Sequence, residues 1–232
     1  MTSFSRLYLN PQKRGGRKLL SNPQAMHAAV MAAFPPGGGN EDGRVLWRLD
    51  AQHPQYTLYV VSPREPDLTH VVEQAGWATS PWESADYDRL LGRLTLGQEW
   101  GFRLRANPVK NARRKGERGK VLPHVTADQQ TAWLLEKAPR HGFEIRHSAL
   151  GAPAADVEKP VPEVAVSQRD DVRFGRADQH AGTRRAVTLR QAQFDGVLRV
   201  TNVELLRSAM TGGIGRGKAY GCGLLTLQRV AG

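Results

Sequence analysis

Apolar and polar residues alternate from Phe4 to Leu9, the period-two signature of a strand, and Asn10-Pro11 ends it. The spacing changes after Ser21. Asn22 suits an N-cap, Pro23 the first helical position, and Met26, Ala29, Val30 and Ala33 share one helical face. This predicts a helix to about Phe34, stopped by Pro35-Pro36. Arg44 to Asp50 and Tyr56 to Val61 read as an antiparallel strand pair, and Asp67 to Ala75 and Ser84 to Leu91 as short helices. Glu99 to Ala106 alternates strongly, with Trp100, Phe102 and Leu104 on one face and Arg103 and Arg105 on the other. The order strand, helix, strand, strand, helix, strand is the ferredoxin-like unit, which RRM domains share.

A second set of elements follows. Thr126 caps a helix running to Arg140, with Ala132, Leu134, Leu135 and Ala138 as its core face. Phe143 to Leu150 reads as a strand, and residues 151–183, rich in Pro, Gly, Asp and Arg, as a long hairpin or a partly disordered segment. Arg184 to Phe194 and Val197 to Val200 read as a hairpin about Asp195-Gly196, a favoured turn pair. Val203 to Ser208 reads as a helix and Gly223 to Val230 as the last strand. The second half repeats the first in element order, without a sequence repeat.

The chain has 232 residues, 40% of them hydrophobic, enough for one large core or two small ones. Its net charge of +11 points to a polyanionic partner, RNA or DNA ahead of an acidic membrane. No run of 18 apolar residues and no signal-peptide core are present, which predicts a cytoplasmic protein that does not enter a membrane. Cys222 is the only cysteine, which excludes an internal disulfide and a cysteine zinc cluster. The charge is concentrated. Lys13, Arg14, Arg17 and Lys18 lie within Gln12 to Lys18, a segment whose Gly15 and Gly16 suggest a mobile loop. Residues 101–125 hold eight Lys/Arg against one Glu, including Lys110, Arg113, Arg114 and Lys115 beside the arginine-bearing strand.

Near the C-terminus Gly212, Gly213, Gly215, Gly217 and Gly221 surround Arg216 and Lys218. Glycine permits positive φ, and free N–H groups with two cations suit a phosphate. Gly212 to Lys218 resembles a P-loop, but Ala219 replaces the Mg²⁺-binding hydroxyl and the order is helix, loop, strand. The segment therefore reads as a nucleic-acid backbone contact rather than a nucleotide triphosphatase site.

The seven histidines show no paired metal-ligand spacing, and no acidic cluster suggests two-metal chemistry, so no metal or cofactor is expected. Phosphodiester chemistry without a metal points to RNA, whose 2′-hydroxyl can attack the adjacent phosphate. That needs a proton acceptor, a proton donor and cations for the transition state. His27 is the best placed histidine, near the start of a helix beside the Lys13 to Lys18 cations, with Gln24 on the same face. Those cations and the helix N-terminus disfavour imidazolium, leaving the neutral base.

Leu7-Tyr-Leu-Asn-Pro11, Asn22-Pro-Gln-Ala-Met-His27, Leu46-Trp-Arg-Leu49, Phe102-Arg-Leu-Arg-Ala-Asn-Pro108, Thr131-Ala-Trp-Leu134, Phe194-Asp-Gly196 and Gly213-Ile-Gly-Arg-Gly-Lys-Ala-Tyr-Gly-Cys-Gly-Leu-Leu225 occur in order. In these segments the chain resembles the CasE family of CRISPR-associated endoribonucleases, the repeat-RNA processing subunit of the type I-E Cascade complex, in the RAMP superfamily. The resemblance implies two tandem ferredoxin-like domains, α+β, each an antiparallel sheet with helices on one face, here 1–97 and 98–232. It implies metal-independent cleavage of a CRISPR repeat stem-loop at the 3′ base of its stem, by 2′-hydroxyl attack, with a 2′,3′-cyclic phosphate product. The enzyme would stay bound within Cascade. The family's catalytic histidine falls on His27, and the position of its tyrosine holds Gln24. Glutamine can hydrogen-bond a 2′-hydroxyl or a phosphate oxygen but cannot deliver a proton. Lys18 and Arg17 are candidates to assist, and the alternative is a subunit that binds RNA without cutting it. The family's basic hairpin would include Arg169, Arg173 and Arg176. The candidate RNA contacts are these arginines with the cations of 13–18, Arg103, Arg105, those of 110–115, and Gly213, Gly215, Arg216, Gly217 and Lys218.

Overall fold

The computed structural model describes residues 1–35, 43–112, 120–148, 160–177 and 184–230. Its first half carries β1 (Ser3–Leu9), α1 (Arg14–Ser21), α2 (Pro23–Met31), β2 (Leu46–Gln52), β3 (Gln55–Ser62), α3 (Thr69–Ala75), β4 (Glu83–Asp86) and α4 (Asp88–Leu91). The sheet order is β2-β3-β1-β4 with every neighbour antiparallel, the ferredoxin-like arrangement. Leu7 and Leu9 of β1 and Leu58 and Val60 of β3 pack on Met26 and Val30 of α2 and Val71 of α3, all essentially solvent-free. Burying each such side chain contributes roughly 1.5–3 kcal/mol, so the pleat has one stable register. A one-residue slip would turn Arg6 and Tyr8 into that core.

Two sequence expectations change here. The cationic segment Gln12 to Lys18 is not a mobile loop: most of it lies in α1. Its glycines serve close approach. A Cβ at Gly16 would fall 1.9 Å from the Asn10 carbonyl oxygen, and one at Gly15 would fall 2.2 Å from that of Gln74. Ser84 to Leu91 is not one helix. Residues 83–86 form the edge strand β4, pinned to β1 through Arg6 Nε donating to Glu83 Oε2 at 2.8 Å. This strand closes the first unit, so Glu99 to Ala106 opens the second.

The second half contains β5 (Glu99–Ala106), β6 (Val109–Ala112), β7 (Lys120–Pro123), α5 (Ala127–Lys137), β8 (Phe143–Ile145), β9 (His147–Ser148), β10 (Val161–Pro162), β11 (Val164–Ala177), β12 (Arg184–Val200), α6 (Val203–Gly212) and β13 (Leu225–Gln228). Its main sheet runs β11-β12-β5-β13, with β8 pairing the last residues of β12. The same order recurs, β8 and β11 sharing the outer position. Phe102, Leu104, Phe194, Leu198, Leu134, Leu206 and Met210 are buried together in its core. Thr126 caps α5 by accepting from the Gln129 N–H, and Asn202 caps α6 from the Leu205 N–H. The segments β6–β7 and β9–β10 form two small separate ladders.

Asp195-Gly196 is not a turn. Residues 184–200 form one strand of 17 residues, in which Asp195 pairs with Arg103 and Gly196 with Phe102. Gly196 is required because a Cβ there would lie 2.3 Å from the Glu163 carbonyl oxygen. Within 151–183, expected as a long hairpin or a partly disordered segment, residues Val164–Ala177 form a single strand, β11, whose partner is β12 beyond the segment.

The halves share one seam. Leu46, Val61 and Tyr87 of the first sit in the core cluster of the second. Arg48, 2% exposed, donates to both Asp50 carboxylate oxygens at 2.6 and 3.0 Å. Its remaining amine donates to the carbonyls of Arg103 and Leu224 at 3.0 and 3.1 Å. Arg103 returns the link, donating to Asp50 at 3.1 Å and to Asp195. No helix among the described residues is long and apolar enough to cross a membrane.

Candidate active site

The start of α2 is fixed by three local devices. Pro23 is preset for helical φ, and Asn22 Oδ1 accepts from the N–H groups of Gln24 and Ala25 at 3.0 and 3.2 Å. His27 therefore stands one turn into a helix whose Met26 and Val30 are anchored in the core. The ring is half-buried and faces the second half of the chain. There it meets the Tyr220 ring edge-on, with centroids 6.5 Å apart and planes at 63°. Tyr220 in turn packs on Phe174 of β11, with centroids 4.6 Å apart.

Tyr220 is held by glycine geometry. It ends the short 3-10 turn Lys218–Tyr220, flanked by Gly217 at φ +84° and Gly221 at φ +78°. At Gly221 a Cβ would fall 2.7 Å from the Trp47 ring of β2, so this loop lies directly on the first sheet. Gly213 and Gly215 also have positive φ and touch Leu46 and Trp133. The glycine-rich stretch thus joins the halves and delivers an aromatic ring to His27. Tyr220 stood inside a motif singled out in the sequence, but nothing in its spacing marked it as the histidine's neighbour.

The cations fall into three groups. On α1, Arg14, Arg17 and Lys18 are exposed on one face with Ser21, opposite the buried Gly16 and Leu19. Arg17 donates to the Gln12 carbonyl at 2.6 Å, and Lys13 donates to the Glu73 carbonyl at the end of α3 at 3.1 Å. Arg14 and Lys18 carry charge on this face beside α2. Gln24 is half-buried in the same helix turn as His27.

A second group is committed to contacts within the protein. Arg103 bridges Asp50 and Asp195, and Arg105 donates to Gln191 Oε1 at 2.9 Å and to Asp170. Burial alone would raise the Asp195 carboxyl, but hydrogen bonds from Arg103, Ser167 and Gln193 outweigh it and hold it below the usual carboxylate range. Lys218 turns inward and donates to the Gly212 carbonyl at 2.6 Å, satisfying the end of α6. Burial, with Arg44 nearby, pushes its ammonium below the ordinary lysine value.

A third group faces outward. Arg216 is exposed and donates to Asn111 Oδ1 at 3.3 Å, while Lys110 of β6 and Arg169 and Arg173 of β11 are exposed. Arg176 belongs to β11. Arg113, Arg114 and Lys115 lie outside the described residues.

A cleft of about 450 Å³ runs between α1, α2 and β2 on one side and β11 and the Tyr220 turn on the other. Pro23, Met26, Tyr56 and Tyr220 contribute apolar wall, and Arg105, Asp170 and Gln191 line a polar side.

Comparison with known proteins agrees with this architecture. A family model described as CRISPR associated protein matches residues 4–229. The chain is 30% identical over 231 residues to the CRISPR-associated endoribonuclease Cse3 of Thermus thermophilus, covering 97% of this chain and 98% of that protein. It is 30% identical over 199 residues to the Cascade subunit CasE of Escherichia coli, covering 78% and 87%. Among solved structures, Thermus thermophilus Cse3 bound to an RNA representing a pre-cleavage complex superposes with a TM-score of 0.73 at 27% identity, over 98% of each chain. Escherichia coli Cas6e shares the fold, with a TM-score of 0.54 at 19% identity, over 99% of this chain and 100% of that one. With tandem ferredoxin-like sheets and a family match over nearly its whole length, the chain belongs to the CRISPR-associated protein family.

Proposed function

We propose that this protein cleaves the repeat stem-loops of CRISPR precursor RNA, with His27 as the group that takes the 2′-hydroxyl proton. The 2′-oxygen then attacks the adjacent phosphorus, the bond to the 5′-oxygen breaks, and that oxygen takes a proton from water to leave as a hydroxyl, while His27 gives up its proton to solvent. The products end in a 2′,3′-cyclic phosphate and a 5′-hydroxyl. One observation carries the reading: His27 is held by a capped, core-anchored helix at the junction of the halves, directly after the cation-bearing α1. Arg14 and Lys18 supply charge for the phosphorane-like transition state, and Gln24 hydrogen-bonds the 2′-hydroxyl or a phosphate oxygen. Arg169, Arg173 and Arg176 of β11, with Lys110 and Arg216, hold the RNA backbone. The halves divide near residue 97. The enzyme acts in the cytoplasm, stays on its product stem and joins a Cascade-type complex.

Gln24 favours a second reading, a subunit that grips RNA without cutting it. Incubating the protein with an end-labelled type I-E repeat hairpin separates the two. A single cut with a cyclic phosphate end supports the first; binding without any cut establishes the second.

A further inference from the structure

The cleft beside His27 has no assigned occupant. It is bounded by the same α2 turn that carries the histidine, through Pro23 and Met26, and Tyr220 both lines it and touches the His27 ring. Its volume, about 450 Å³, falls within the ~300–1,000 Å³ of ligand-binding clefts. Tyr56 and Tyr220 are only half-buried and both line the cleft, Tyr220 being braced from elsewhere by Phe174 and His27. Much of the polar side is already paired: Arg105 donates to Gln191 and Asp170, Gln168 donates to Asp170 at 2.9 Å, and Gln191 donates to the Tyr220 carbonyl at 3.1 Å, while the exposed Arg173 also lines the cleft and suits a phosphate of the same strand. Few groups are left to read a hydrogen-bonding edge, while flat apolar contact is plentiful.

The chemistry needs such a space. Attack by a 2′-oxygen must come in line with the bond that breaks, and in a stacked strand that oxygen lies beside the phosphate rather than behind it. The nucleotides flanking the scissile phosphate must splay apart, and an unstacked base is held most readily between aromatic and apolar side chains. We propose that this cleft receives the base of a nucleotide flanking the scissile phosphate, stacked on Tyr220 and Tyr56. The inference rests on the proposed ribonuclease function. Stacking is tolerant of sequence because every base has a π-face, and the paired polar wall adds little discrimination. The cleft accordingly secures the geometry of cleavage, and any of the four bases fits it.

The test uses repeat hairpins with a 2′-deoxy nucleotide at the attacking position, so that they cannot be cut, and 5-iodouridine at either nucleotide flanking that phosphate. Irradiation crosslinks the iodinated base to an aromatic ring on which it stacks. The expected result is a crosslink in a peptide containing Tyr220 or Tyr56 from one flanking position. It should fall at least fivefold in Tyr220→Leu and persist in Tyr220→Phe, which keeps the ring. In cleavable RNA an abasic residue at that position should slow single-turnover cutting at least tenfold, with any base restoring it. Crosslinks mapping elsewhere from both positions, with abasic residues cut at the normal rate, would overturn the proposal. Because the crosslink is read on uncleavable RNA, it stands apart from the ribonuclease reading, which fails if ordinary hairpins are bound and never cut.

Discussion

His27 and Tyr220 are 193 positions apart in the chain, yet their rings meet edge-on with centroids 6.5 Å apart. The contact exists because two separate devices converge on it. A capped helix start orients the histidine, and a loop of left-handed glycines folds the tyrosine back onto the first sheet. The candidate site is therefore a property of the joined halves, and changes that loosen the seam should reach it.

Gly221 is where that seam is tightest. Gly221→Ala forces a Cβ into the Trp47 ring at a φ of +78°. Strain of this kind costs about 1–3 kcal/mol, and overpacking adds a similar amount. Gly212→Ala is the control: it meets nothing within 4 Å and ends a helix. Urea denaturation should show a clearly lowered midpoint for the first and one unchanged or slightly raised for the second.

The glycines also show what was legible. Asn22-Pro23, the alternation of Glu99 to Ala106 and the Thr126 cap follow local rules, and those elements appear where the sequence places them. Gly15-Gly16 and Asp195-Gly196 misled because glycine serves two ends, left-handed backbone and close approach. Only the tertiary neighbours, the carbonyls of Asn10, Gln74 and Glu163, distinguish them. Cations carry the same ambiguity. Arg103, Arg105 and Lys218 count toward the net charge as fully as Arg14 does, but they are paired inside the fold, and the carboxylates that hold the two arginines are remote in sequence.

Asp195 gives a pH signature. Its native carboxyl titrates below the unfolded value of about 3.9, so the unfolded chain binds more protons in that window. Its contribution to stability is complete above the unfolded value and is lost as pH falls through the native one. Asp195→Asn should therefore lower stability at neutral pH and flatten the decline below about pH 4. Thermal unfolding of both proteins across pH 2 to 7 reads this directly; parallel acid limbs would remove Asp195 from the account.

Cys222 is fully buried, and burial raises its thiol to about 12. The native protein should resist a thiol reagent at pH 8 and react completely once unfolded in guanidinium. Fast labelling of the native protein would mean that the glycine-rich loop opens.

The central claim is that His27 performs the proton transfer that starts RNA cleavage. The most direct measurement is single-turnover cutting of a type I-E repeat hairpin in EDTA by the wild type and by His27→Ala, alongside binding of an uncleavable hairpin to both. Removing a general base typically costs about 10²–10⁴-fold in rate. The account expects one cut at the stem base by the wild type, a loss of that order in the variant, and affinity within a few-fold. Equal cutting by both proteins would contradict it and move the chemistry to another residue.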